Sequence, residues 1–310
     1  MTVILQSPPP RAGEAAEIEA GESRTLNFPG LKNPGELRYW TGIVVCLVLF
    51  VWLFWNSFVN FYHHWTTDEN YSHGFLVPLI SLYFASQVYR RGATPIRGGT
   101  KLGCVLFAAS MVVQLFTIVV PLHFVADLAL LVATSGLFAI LFGSLALRRY
   151  WFAFFFLIFM IPLPVALYSM IASPLQLLAS RVAATVMNAS GVPVLRDGNK
   201  MTLPGGTQLF VAEACSGVRQ LTGFLALTTA VAYLSTRPIW YRIVVIMSAF
   251  PIALSANIAR VVLTGFVMHF LNPQYASGAF HTLEGLLMMG FGLLLLNLEC
   301  WVLHQVISRD

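Results

Sequence analysis

The segment at residues 213–220 carries the residue types best suited to nucleophilic chemistry. It begins an apolar run and contains, in order, Glu213, Cys215, Ser216, Gly217 and Arg219. A helix that begins here would present unpaired N–H groups and the positive end of its dipole to the thiol, and both favour the thiolate. Arg219 lies one turn after Cys215 and adds a positive charge on the same face. The small residues Ser216 and Gly217 would let a substrate reach backbone N–H groups that form an oxyanion site. We therefore predict a nucleophilic cysteine, supported by Glu213, against the alternative of a helix start with an incidental thiol.

A second candidate is an arginine inside a long apolar segment. Arg260 lies about ten residues from the C-terminal end of that segment, roughly 15 Å deep at about 1.5 Å per residue. A charge at that depth is costly, so it must line a polar cavity or pair with an acid. Asn257 precedes it by three residues and shares its helix face. The pattern predicts a functional site, against the alternative of a buried ion pair with Glu213, Glu284 or Asp127.

The third candidate is His281, which opens the last apolar segment and is followed by Glu284. A histidine at a membrane interface is often only a satisfied polar group. Imidazole titrates near neutral pH, however, and is the usual proton carrier beside a thiolate. Cys215, Arg260 and His281 together would make a site for acyl transfer.

The elements that must position these residues are membrane helices. The chain has 310 residues, of which 57% are hydrophobic and 10% charged, whereas soluble domains carry about 25% charged residues. This composition excludes a soluble globular enzyme, a disordered protein and a disulfide-rich secreted scaffold. It predicts an all-α polytopic membrane protein formed by a single helical bundle.

Eight segments are apolar enough to be transmembrane helices, since about 20 residues cross a bilayer. Pro251 predicts a kink in the seventh. Apart from Arg181, Arg196 and Lys200 in the segment 171–214, arginine and lysine fall on alternate sides of these segments, and the loops 63–73, 121–122 and 272–283 have none. By the positive-inside rule both termini are cytoplasmic, which puts Cys215 and His281 on the outer face. The net charge of +5 is thus read as a topology signal, with no nucleic-acid patch. The eight predicted spans are 40–62, 74–89, 102–120, 123–147, 150–170, 215–236, 243–271 and 284–305.

Two regions lie outside these spans. Residues 1–38 are polar and predict a disordered cytoplasmic tail, which leaves 39–310 as the membrane-integral catalytic domain. The outer segment 171–214 is the other region. Its apolar spacing over 175–190 favours an amphipathic helix at the interface, with a membrane-spanning helix as the alternative. Its second part, 193–212, predicts short strands joined by turns at Asp197-Gly198 and Pro204-Gly205-Gly206, hence a small β-rich outer cap.

A further polar segment, Tyr71-Ser72-His73-Gly74-Phe75-Leu76, follows several histidines and acids. Histidines and carboxylates are zinc ligands, but no metal-binding spacing is present, so we predict no metal and no cofactor. His73 is expected to shape the mouth of the cavity.

These motifs resemble the exosortase/archaeosortase family of multipass membrane cysteine enzymes. The resemblance rests on the Ala-Cys-Ser-Gly-Val-Arg run at 214–219, the Asn-x-x-Arg run at 257–260 and the His-x-x-x-Gly run at 281–285. The Ser-His-Gly-Phe-Leu run at 72–76 is similar to the bacterial exosortase branch. The resemblance implies that Cys215 is the nucleophile, Arg260 an essential positive charge and His281 the acid/base.

It also implies what the enzyme acts on and where. Substrates would be exported proteins that end in a short motif such as Pro-Glu-Pro, a transmembrane helix and a basic cluster. The enzyme would lie among the lipids of the bacterial inner membrane, cut near the motif, and transfer the acyl group to a glycan or lipid acceptor. Two rival classes remain open at this point: a non-proteolytic transferase acting on polyprenyl-phosphate sugars, and a non-enzymatic assembly component of an exopolysaccharide system.

Overall fold

A computed structural model describes residues 34–92, 100–211, 217–271 and 279–307, and these are mostly helical. The chain divides into two compact units, Met1–Pro162 and Leu163–Asp310. Each unit has its own packed core, and each is described by itself below.

The first unit is a bundle of short and medium helices. Phe84 packs against Phe152 and Phe156 with ring centroids 4.9 and 5.1 Å apart, and Ser81 Oγ donates to the carbonyl of Ala153 at 2.7 Å. These contacts hold α3 against α6. In chain order the elements are α1 (Pro34–Leu53), α2 (Trp55–Thr67), a 3₁₀ helix (Glu69–Phe75), α3 (Leu76–Arg90), α4 (Lys101–Val119), α5 (His123–Phe142), α6 (Ser144–Phe156) and a 3₁₀ turn (Leu157–Met160).

Helices α4 and α5 pack unusually closely because two glycines face each other. A Cβ atom on Gly103 would lie 2.8 Å from the backbone nitrogen of Ile140, and one on Gly136 would lie 2.7 Å from that of Phe107. Real Cβ atoms do not approach backbone so closely. Small residues at such contacts let helix backbones meet within the membrane, where apolar burial alone gives little drive for association.

The second unit combines long helices with a small sheet. Its elements are α7 (Val165–Ala189), β1 (Leu195–Asp197), β2 (Lys200–Thr202), β3 (Gln208–Phe210), α8 (Gly217–Leu234), α9 (Ile239–Met247), α10 (Ala249–Phe270) and α11 (Ala279–Ile307). The break between α9 and α10 falls at Ser248, three residues before Pro251. A proline ring clashes with the carbonyl four residues earlier, here that of Met247, and this explains why α9 ends there.

The sheet is an antiparallel meander in the order β1-β2-β3. The glycines of both predicted turns have positive φ angles, +62° at Gly198, +88° at Gly205 and +83° at Gly206, a region that favours glycine. The short strands and the two turns expected over 193–212 are therefore confirmed, and the strands number three.

The sheet packs on α7 and α10. Met187, Met201 and Val211 are fully buried between these elements. Gly265 of α10 also lies so close to Met187 of α7 that a Cβ there would meet its sulfur at 2.6 Å. At the end of the last strand, Val211 therefore lies in the same buried cluster as Val261 of α10.

Within the described ranges, five helical segments are long and apolar enough to cross a membrane, and Gln220–Leu234 is a shorter apolar helix. The predicted span 40–62 contains two helices that meet at Phe54, α3 has only 15 residues, and 150–170 is interrupted beyond Met160. The expected number of eight is therefore not confirmed. The five segments are Lys101–Val119, His123–Phe142, Val165–Ala189, Ile239–Phe270 and Leu283–Ile307.

Helix α7 differs most from expectation. It begins at Val165, directly after Pro164, and continues through Pro174 to Ala189. The predicted interfacial helix at 175–190 is the second half of this 25-residue helix, whose length and composition suffice for a membrane span. Residues 165–170 of this helix belong to the predicted span 150–170, because the sequence does not show where a helix restarts after Pro162 and Pro164.

Candidate active site

Helix α10 carries a buried polar stripe. Asn257, Arg260 and Thr264 are only 2%, 5% and 1% exposed. Their spacing of three and four residues puts them on one face of the helix. A guanidinium buried inside a membrane-crossing helix needs polar or charged neighbours, and the stripe identifies the face of α10 that supplies them.

Glu284, in the first turns of α11, is the acidic partner of this stripe. Its side chain is fully buried, and Thr264 Oγ lies 3.2 and 3.1 Å from its two carboxylate oxygens. The same hydroxyl lies 2.9 Å from the carbonyl oxygen of Arg260. Its single proton is donated to one of these acceptors at a time. Thr264 therefore connects the backbone of α10 at Arg260 to the carboxylate of α11.

When a guanidinium and a carboxylate are buried at levels one helical turn apart, as at this stripe, each reduces the free-energy cost of burying the other. Moving an isolated carboxylate or guanidinium from water into a protein interior costs roughly several kcal/mol of hydration free energy. Of the three acids considered as partners of Arg260, Glu284 is the one that the described structure brings to the stripe. Asp127 lies in the first unit and accepts a hydrogen bond from Asn60 Nδ2 at 2.9 Å, and Glu213 is outside the described residues.

Asn257 carries a buried amide donor in the stripe. Within the described part of the chain, its buried Nδ2 has no hydrogen-bond partner. The side chain lies against a small apolar hollow formed by α7, α8 and α10, whose lining includes Leu175, Leu221 and Leu254. A buried amide donor is normally satisfied, and the hollow beside this one has no space for a water molecule.

The thiol and its neighbours lie outside this description. Glu213, Cys215 and Ser216 are not among the described residues, and α8 begins in the description at Gly217, with Arg219 in its first turn. Helix α11 includes His281, three residues before Glu284. The side chains of Arg219 and His281 are not described, so the gathering of thiol, guanidinium and imidazole stays a prediction.

His73 lies in the first unit, in the 3₁₀ helix. Burial lowers its pKa from 6.5, while hydrogen bonds with the backbone of Phe159 and Asn70 oppose that shift. The adjacent Gly74 is required by Trp65, whose indole ring occupies the space that a Cβ would fill. Trp65 Nε1 donates to the carbonyl of Met160 at 3.0 Å. The motif around His73 thus forms a packed corner of the first unit.

The nearby histidines show no arrangement typical of metal ligands. His63 and His64 meet edge to face with centroids 5.8 Å apart. Burial lowers the pKa of His64, and the charge of Asp68 opposes this. Among the described residues, no three histidine, cysteine or acidic side chains are grouped so as to hold a metal ion.

Thr264 is the member of the site that the sequence interpretation missed. A threonine in an apolar helix is unremarkable by itself, because its hydroxyl can bond to the preceding turn. The sequence signal that points to Thr264 is its position one turn after Arg260 and two turns after Asn257, on the same helix face. The burial of a carboxylate opposite it becomes visible only when α11 is packed on α10.

Comparison with known proteins gives one match. The family model for the transmembrane exosortase matches residues 65–298, well over half of the chain. No curated protein matches, and no solved structure does. The matched range contains Cys215, the stripe on α10 and both His281 and Glu284. The chain belongs to the transmembrane exosortase family.

Proposed function

We propose that this protein is a cysteine-dependent transpeptidase of the bacterial inner membrane that processes the C-terminal sorting tails of exported proteins. The observation that carries the proposal is a buried arginine, held beside a buried Thr264–Glu284 pair in a chain of the exosortase family. A membrane-embedded arginine is costly unless it has a task or a partner. Here Thr264 lies within hydrogen-bond distance of the Arg260 backbone carbonyl and of the buried Glu284 carboxylate, which supports a task for this helix face.

In the first half-reaction the Cys215 thiolate attacks the scissile carbonyl carbon. A thioester forms, the C–N bond breaks, and His281 gives its proton to the leaving amine. In the second half-reaction His281 takes a proton from the acceptor's hydroxyl or amine, the acceptor attacks the thioester, and the thiolate leaves. A glycan or lipid of the envelope is the proposed acceptor.

Arg260 supplies positive charge to the reacting carbonyl, together with backbone N–H groups near Ser216 and Gly217. Alternatively it binds the glutamate of a Pro-Glu-Pro motif through charge-assisted hydrogen bonds. Thr264 and Glu284 are positioning residues, because they act through Arg260. Asn257 offers its amide to an oxygen of the substrate.

Glu213 and Arg219 flank the thiol in sequence, and their proposed role is to set its charge environment. His73 is proposed to shape the mouth of the cavity. The active site is proposed to face outward, with both termini in the cytoplasm.

The test is processing of a tagged tail-bearing substrate in cells that produce Cys215→Ala, Cys215→Ser or the wild type at equal levels. The proposal predicts cleavage and transfer with the wild type and uncut substrate with Cys215→Ala. Normal processing by Cys215→Ala would rule out the nucleophile. If polyprenyl-linked sugar transfer survived thiol alkylation, it would instead favour the non-proteolytic transferase.

A further inference from the structure

A groove of about 480 Å³ lies in the second unit, on the side of α11 toward its C-terminal half. One wall is α11, through Leu295, Leu298 and Val302. The other is the end of α9 and the first half of α10, with Ser248 and Ser255. The residues of each wall repeat at the three- and four-residue spacing of one helix face.

The shape of this groove suits a third helix. Two neighbouring helix faces form ridges with a furrow between them, into which the side chains of another helix pack. The walls are open to a partner, since Leu298 is 52% and Val302 46% exposed. Serines allow close approach of helix backbones inside a membrane. An acyl chain of a lipid would need neither the serines nor the carboxyl group described next.

Glu299 brings a carboxyl group into the groove, where the Ser248 side chain is hydrogen-bonded to it. Its Oε2 atom is buried and has no hydrogen-bond partner within the described ranges. The nearby arginines are engaged with other groups: Arg237 Nη2 lies 2.7 Å from Nδ1 of His304, and Arg242 Nε donates to the Arg237 carbonyl at 3.0 Å. A carboxylate at membrane depth is stabilised by a cation. A cation on the molecule that occupies the groove would supply this stabilisation.

We propose that this groove binds the membrane-crossing helix of the substrate, with Glu299 paired to a lysine or arginine of that helix. The proposal rests on the proposed function for the identity of the partner. Glu299 follows Glu284 by 15 residues on α11 (299 − 284), which is about 22 Å along a helix at about 1.5 Å per residue. A substrate helix alongside α11 would bring its cation to Glu299 about 15 residues after the cleavage point.

The first experiment maps the contact. A photo-reactive benzoylphenylalanine replaces Leu298 or, as the control, Asn297, which is exposed at the same depth on a different face of α11. Both are made in the Cys215→Ala background so that the tail stays uncut. The probe is a tagged reporter with a Pro-Glu-Pro motif, a leucine–alanine helix and one arginine 15 residues after the motif. We expect the reporter to cross-link at Leu298 and not at Asn297.

Equal cross-linking at both sites, none at Leu298, or cross-linking of Leu298 only to lipid or to a second copy of this chain would overturn the groove proposal. The result does not depend on cleavage. A reporter that binds at Leu298 but is never cut by the wild type contradicts the proposed function alone.

The second experiment reverses the charge. Glu299→Lys should reduce processing of the arginine reporter on the order of tenfold, as expected for close charge pairs that are desolvated. A reporter with glutamate in place of that arginine should recover processing with Glu299→Lys and lose it with the wild type. Asn297→Lys is the matched control and should leave both reporters as in the wild type, with protein levels checked by a fluorescent fusion. If the exchanged pair gives no recovery while Glu299→Gln processes both reporters normally, Glu299 has no role in recognition.

Discussion

Thr264 and Glu284 form the best-defined contact of the candidate site at the scale of single residues. The carboxylate is fully buried and the hydroxyl lies within hydrogen-bond distance of both its oxygens. A buried acceptor that loses its donor keeps the cost of desolvation without compensation. The pair is thus a stability determinant of the contact between α10 and α11.

Thr264→Val is isosteric and removes the donor. We expect it to lower the free energy of unfolding by about 1.5–3 kcal/mol, the range for hydrogen bonds to charged groups. Thr264→Ser keeps the hydroxyl and should lose much less. The measurement is the apparent melting temperature of the detergent-purified protein, compared among the three proteins. If valine and serine behave alike, the hydrogen bond to Glu284 contributes nothing.

The lowered pKa of His73 predicts that the stability of the first unit depends on pH. Because burial lowers its pKa below 6.5, the unfolded chain takes up its proton before the folded protein does. The stability that comes from neutral His73 is thus complete above about pH 6.5 and is lost as the pH falls toward the pKa of the folded state. His73→Gln should flatten this part of the melting-temperature profile. His64, whose pKa is also lowered, contributes in the same direction and should leave a residual slope. An unchanged profile in His73→Gln would contradict the assignment.

Whether the sequence alone can identify a site residue depends on whether its role follows from its local sequence or from contacts between distant helices. Arg260 and Asn257 were found because charge and amide groups stand out in an apolar helix, and the structure brings both to one buried face. Glu284 is predicted as a supporting residue because it follows His281 by three residues. Thr264 was missed because its role depends on a contact between helices distant in the chain, and such contacts leave no local pattern.

At the scale of elements, glycine contacts determine how closely α4 and α5 pack. Gly103 and Gly136 each face backbone atoms of the other helix. Neither helix can gain a Cβ at these positions unless the pair moves apart. The strands of the second unit were predictable, because their turns depend on glycines at fixed positions. The extent of α7 was not, because prolines mark where a helix stops more clearly than where the next one starts.

Gly103→Ala is expected to destabilise the α4–α5 pair and lower the apparent melting temperature, since its Cβ would meet backbone that cannot rotate away. Gly290→Ala on α11 is the matched control, because nothing lies within 4 Å of its added Cβ. There the gain in helix propensity, up to about 1 kcal/mol in exposed helices, should dominate. Equal effects of the two substitutions would contradict the close packing of α4 and α5.

At the scale of the whole molecule, the account requires a single orientation in the membrane. The loops rich in arginine are assigned to the cytoplasm, and the sheet, with the chain that leads to Cys215, to the outer face. Helix α7 bears directly on this assignment, since its length permits a span. One additional crossing before the sheet would move it to the other side.

Labelling with a membrane-impermeant maleimide tests this orientation in a variant that lacks the native cysteines. Leu195→Cys, at a position 76% exposed on β1, should react in intact cells. Arg149→Cys, on α6, should react only after the membrane is permeabilised. The reverse pattern would place the sheet in the cytoplasm and remove the outward-facing site.

The most direct test of the central claim is detection of the covalent intermediate. The purified wild-type enzyme is mixed with the tail-bearing reporter in the absence of any acceptor, so that the second half-reaction cannot follow, and the peptide that contains Cys215 is analysed by mass spectrometry. The account predicts that this peptide gains the mass of the acyl fragment up to the cleavage point and that neutral hydroxylamine removes it. Reporter cleavage by the wild type and by Cys215→Ala at equal rates, with no adduct on Cys215, would contradict acyl transfer through this thiol.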